Sequence, residues 1–145
     1  MAFTIVIGER VLVPSGDPEV AARPGAAEEE APEAPAFEGD VYTGRTNVRR
    51  VGYGDWAVFC RTSGLHGLFF DPGRGLMREH PGCEPLTAAH LGAVRAARLA
   101  RERARPGARP GFGGDLDPVL ARLGWLDWWM ARALARCRMP VFANR

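Results

Sequence analysis

The alternation of hydrophobic and polar positions changes character several times along the chain. Residues 3–13 read as two short β runs, FTIVI and RVLV, around Gly8-Glu9, which predicts a hairpin on weak turn chemistry. Residues 14–37 are rich in Pro, Gly, Ala and Glu and nearly empty of bulky apolar side chains. Such a stretch cannot bury enough surface to offset its own ordering entropy, so it reads as a linker. Residues 43–53 (TGRTNVRRVGY) are basic and punctuated by glycine, and read as a loop. Gly54-Asp55 then opens a short helix with Trp56, Phe59 and Cys60 on one face, stopping at Gly64. Leu65, Leu68, Phe69 and Phe70 make an apolar cluster closed by Asp71-Pro72-Gly73, and a further loop runs to Pro85.

Two longer helices follow. Thr87 caps a helix of about 17 residues that ends at Arg105-Pro106-Gly107, because a proline disfavours helical geometry in the residue before it. Asp117-Pro118, a cap residue followed by a proline at the first helical position, starts a last helix reaching Arg138. The whole pattern predicts an α+β chain, mainly helical. Its parts are a short N-terminal β segment (residues 1–13), an acidic linker (14–39) and a compact basic helical domain (40–145) ending in those two helices.

Composition narrows the class without naming an activity. With 145 residues, 46% of them hydrophobic, the chain suits one compact domain, and collagen-like, wholly disordered and disulfide-dense classes are excluded. The formal charge of +2 hides a division. Residues 1–40 carry nine acids against Arg10 and Arg23, whereas residues 41–145 carry seventeen Arg against eight acids. The basic body therefore sits beside an acidic leader able to dock on it or to stay solvated. Lys and Gln are absent and Asn occurs only at 47 and 144, a bias that GC-rich coding explains and that weakens any argument from Arg content alone. Three cysteines at unrelated spacings imply no disulfide framework. The first residues lack a signal-peptide pattern and no apolar run is long enough to span a membrane, so a cytoplasmic setting is expected.

Candidate chemistry concentrates on the last helix. At about 100° per residue, Val119, Leu123, Leu126, Met130, Leu134 and Cys137 form one apolar arc that reads as core. On the other side Arg122, Trp125, Trp129, Arg132 and Arg136 fall together, with Trp128 beside them. Two readings of that side stand. Either the indoles are a second core with the arginine heads reaching outward, or they form an exposed Trp/Arg surface for an anionic partner. The same side would equally serve a protein interface, including one between copies of the chain.

Arg98, Arg101 and Arg105 form a stripe on the preceding helix, which reads as a solvated face complementing the helix dipole; nucleic-acid binding is the sharper alternative, with no recognised motif to support it. The basic loop adds Arg45, Arg49 and Arg50, interleaved with glycines and Tyr42 and Tyr53, as a weak phosphate-binding pattern. His80 and Cys83 could begin a zinc site or a thiol dyad, but a second ligand pair is missing. No metal, cofactor or catalytic residue is therefore assigned.

The stretches 53–71 (YGDWAVFCRTSGLHGLFFD), 75–83 (GLMREHPGC) and 117–137 (DPVLARLGWLDWWMARALARC) resemble an uncharacterised family of small proteins from high-GC bacteria and their phages or prophages. The likeness implies context only, an accessory protein of a mobile element, and it carries no catalytic residue over. The reading that follows is a non-catalytic binding protein. It would capture an anionic small molecule, such as a nucleotide or another phosphate-bearing compound, or an acidic protein surface. The site would be Arg122, Trp125, Trp129, Arg132 and Arg136, helped by Arg45, Arg49 and Arg50. An oligomerising interaction protein and a Cys83/His80 enzyme or small zinc protein are the alternatives.

Overall fold

The computed structural model describes residues 2–11, 25–35 and 45–145. The elements run β1 (Ala2–Glu9), β2 (Val48–Gly52), α1 (Tyr53–Ser63), α2 (His66–Phe70), β3 (Gly82–Pro85), α3 (Ala88–Ala104), α4 (Pro118–Arg136) and β4 (Pro140–Asn144). The α+β expectation, with two longer C-terminal helices, is what the chain adopts. The four strands form one antiparallel sheet in the order β2-β1-β4-β3.

β1 occupies the middle of that sheet, pairing Ile5 with Arg49 on one side and with Asn144 on the other. Alternation along the strand sends Phe3, Ile5 and Ile7 into the main core with α1 and α4, while Val6 joins Val141, Ala143 and Ala26 on the second face. The expected turn at Gly8-Glu9 does not occur. Gly8 continues the strand opposite Val141, and its missing side chain makes room for the Asn47 amide, whose Nδ2 would lie 3.0 Å from a Cβ there.

The three-part division also needs correction, because one sheet and one core cross it. The N-terminal strand is an inner strand of the body, and residues 25–35 pack against that body with Ala26, Ala31 and Ala34 buried. Their small side chains allow close approach, and backbone pairing supplies what bulk does not. The Ala27 N–H donates to the Glu9 carbonyl, that of Ala31 to Arg45, and that of Asn47 to Glu29. The rest of the expected linker, and Tyr42 of the basic loop, lie outside the described residues. Within the expected loop 43–53, residues 48–52 are instead β2, and the expected loop to Pro85 contains β3.

The helices follow their sequence signals closely. Gly64 ends α1 in the left-handed region (φ 76°), and the Leu65 N–H closes the turn on the Cys60 carbonyl. Thr87 precedes α3, its N–H donating to His90 Nδ1 at 3.0 Å. Asp117 caps α4, accepting from the N–H groups of Val119 (2.9 Å) and Leu120 (3.2 Å). α4 packs on both α3 and β1, so it is covered on two sides, and the chain after it turns back into the sheet as β4.

Candidate functional site

The double coverage of α4 decides the fate of the expected Trp/Arg surface. Trp125 and Trp129 are 0% and 1% exposed, so neither indole meets solvent. Trp125 donates its Nε1–H to the Thr46 carbonyl at 3.0 Å, while the Trp129 indole N–H is buried without a hydrogen-bond partner among the described residues. Both rings belong to the main core, in one cluster with Val119, Leu123, Leu126 and Met130 of the amphipathic arc. As a recognition surface, the Trp125/Trp129 face is overturned.

The arginines assigned to that site do not converge. Arg122 is half-buried between Phe112 and Phe59, its guanidinium 5.3 and 5.8 Å from their ring centres. Arg132 hydrogen-bonds Glu29 of the acidic segment and lies over Trp128 at 5.4 Å. Arg136 is exposed in the last turn of α4. In the expected phosphate loop, strand alternation separates Arg49 and Arg50. Arg49 is buried at 4% exposure on the core side, with its guanidinium 5.9 Å from Trp125, while Arg50 points away and is exposed. Arg45 is spent on the Pro32 carbonyl. A strand in place of a loop thus disperses the proposed anion cradle.

The arginine stripe of α3 is a latch between helices. Arg101 donates to Asp117 from Nε at 2.9 Å, and Arg105 approaches the same carboxylate at 3.5 Å. Burial alone would raise the Asp117 carboxyl, but the Arg101 hydrogen bond and the N–H groups of Leu120 and Val119 outweigh it and hold it below the ordinary carboxylate range. Nearly three turns further along α4, Asp127 takes Arg95 on one oxygen (3.0 Å) and Arg98 on the other (3.2 Å), while Arg98 also reaches Glu102 at 3.4 Å.

Beside this latch lies a cleft of about 580 Å³. Its floor is a stripe of α4: Leu120, Ala121, Gly124 and Trp128, which helical spacing puts on one side. The loop between α3 and α4 supplies the opposite wall through Phe112 and Leu116. Gly111 lets that loop come close, with φ at 157° and Leu116 Cδ1 2.6 Å from where a Cβ would stand. The acidic segment closes one end with Glu33 and Pro35, and Arg98 and Asp127 stand at the rim. Gly124 has a different character. It sits inside a helix, where glycine costs about 1 kcal/mol relative to alanine, yet a Cβ there would meet nothing within 4 Å. Sequence reasoning missed this site, although Trp128 beside the favoured face and a glycine within a strong helical pattern were its visible traces.

The thiol-dyad alternative loses its geometry. Cys83 pairs across from Ala143 on the second face of the sheet, whereas the His80 ring packs edge-on to Phe3 on the core side and contacts Asn144 Oδ1 through Nδ1 at 2.5 Å. Burial pushes the Cys83 thiol up, away from the reactive thiolate, and pushes Cys60 up to about 12. Among the described residues no three His, Cys, Asp or Glu side chains gather as a metal-ligand group, and no helix is long and apolar enough to cross a membrane. Comparison with family models, curated proteins and solved structures finds no match.

Proposed function

We propose that the chain is a non-catalytic binding protein whose small-molecule ligand lies in the α3/α4 cleft, its flat ring against Trp128 and Phe112. The observation that carries this reading is the cleft itself, with Trp128 and Phe112 facing it half-buried and Gly124 leaving its floor open at a helix position where glycine bears a penalty. Half-buried aromatic walls over a floor of Leu120 and Ala121, with a few polar groups at the rim, are the usual composition of a ligand pocket. The anionic-ligand expectation rested on the Trp125/Trp129 face and loses its support with that face buried. A cytoplasmic setting fits three cysteines that are all unpaired.

Indole serves as a ring probe. Titrated into the 15N-labelled chain, it is expected to shift the amide resonances of Phe112, Leu120, Gly124 and Trp128. Gly124→Leu, whose Cβ enters open space and whose branched end reaches into the cleft, is expected to remove the response while the thermal midpoint holds or rises. Shifts scattered over the surface, or a G124L variant that binds indole as well as the parent, would overturn the assignment.

A further inference from the structure

We infer that the cleft selects a positively charged ring compound, an aryl-alkyl amine in chemical class, and that Glu33 reads the charge; this rests on the cleft being the binding site. Three charged groups line the cleft, Glu33, Arg98 and Asp127. Both oxygens of Asp127 are already taken by Arg95 and Arg98, and Arg98 is shared further with Glu102. Two cations and two anions thus form a closed, neutral set. Arg132, which lies over the Trp128 ring, is hydrogen-bonded to Glu29 and also feels the charge of Glu33 without contacting it as an ion pair. That leaves Glu33, an exposed carboxylate on the cleft with no ion-pair partner among the described residues.

The position of Glu33 is fixed by its surroundings. Ala31 and Ala34 on either side of it are buried, and Pro32 between them takes a hydrogen bond from Arg45. The backbone at Glu33 is therefore held at the end of the cleft. Trp128 already carries the Arg132 guanidinium over its ring, so a second cation gains little from that ring's electrons. Trp128 and Phe112 hold the flat body of the ligand, and Glu33 takes the ammonium group.

Three probes with one ring and different charge test this: tryptamine, indole and indole-3-acetate, each titrated by calorimetry or NMR at low salt. Because the carboxylate is on the rim, the expected margin is modest, tryptamine about threefold tighter than indole and indole-3-acetate weaker by a similar factor. Glu33→Gln brings tryptamine and indole-3-acetate to within twofold of each other, whatever its effect on indole itself. If indole binds but the order is flat or reversed, or if E33Q keeps the original order, the charge assignment is overturned while the cleft stands. If none of the three binds, both readings fall together.

Discussion

Asn47 has no solvent contact, and every polar atom of its side chain is used. Nδ2 donates to the Ile7 carbonyl (2.8 Å) and to that of Ala27 (2.7 Å), while Oδ1 accepts from the Glu29 N–H at 2.8 Å. One amide thereby fastens the acidic segment to β1. The chain's other asparagine works in the same way on the inner strand β4, where Asn144 donates to the Glu79 carbonyl at 2.8 Å and meets His80. Removing the first of these leaves two acceptors and a donor buried and unpaired, so Asn47→Ala is expected to lose about 3 kcal/mol in urea unfolding. Asn47→Asp, which keeps the acceptor and loses both donors, should fare little better. A loss below about 0.5 kcal/mol for either variant would refute the clamp. Two asparagines in 145 residues are visible in the sequence, but their task is not. It depends on carbonyls forty and sixty-five positions away that only the fold brings near.

At the level of elements, the chain was legible where signals are local and obscure where they are not. Caps and stops at Thr87, Asp117-Pro118 and Gly64 are written in adjacent residues, and all three helices they bound are present. β2 and β3 looked like loops because Arg49, Arg50, Gly82 and Pro85 are poor strand formers, and only pairing with β1 and β4 makes strands of them. The capping of α3 has a consequence of its own. His90 can accept from Thr87 only with Nδ1 unprotonated, and burial holds its pKa below the ordinary imidazole value. The unfolded chain thus binds this proton more readily than the folded one. Stability from the group is whole above about pH 6.5 and is lost as the pH falls below it. The loss is bounded by the worth of a helix cap, about 0.5–2 kcal/mol. Stability measured at pH 7.5 and pH 5 should therefore fall in the parent chain and fall less in His90→Gln, whose amide keeps an acceptor at any pH. An equal fall in both would assign the acid sensitivity elsewhere.

Across the whole molecule, the segregation of charge seen in the sequence resolves into contacts within the chain. Glu29 meets Arg132, Glu28 meets Arg145 at 3.1 Å, and Glu9 accepts from the N–H groups of Arg138 and Met139. Charge counting raised that docking as an option, but hydrophobicity argued against it, since the segment buries alanines and backbone where bulky side chains were sought. The cleft was hidden for a related reason: its walls come from α4, a glycine-rich loop and this same acidic segment, which share no local pattern. Exposed ion pairs add little to global stability, so Glu29→Gln is expected to shift the unfolding free energy by less than about 1 kcal/mol. Hydrogen exchange at the Ala31 amide, by contrast, should speed up severalfold as the segment loosens. Unaltered exchange there would show that the alanines and Asn47 hold the segment unaided.

The pairing of β1 with β4 also orders events in time. Ile5 lies beside Asn144, and Thr4 exchanges two backbone hydrogen bonds with Arg145. A ribosome delivers the first of these partners long before the second. Until residues 140–144 emerge, a strand of Phe, Ile and Val has its eventual neighbour on one flank only, and the sheet cannot close before every residue between the two strands has been made.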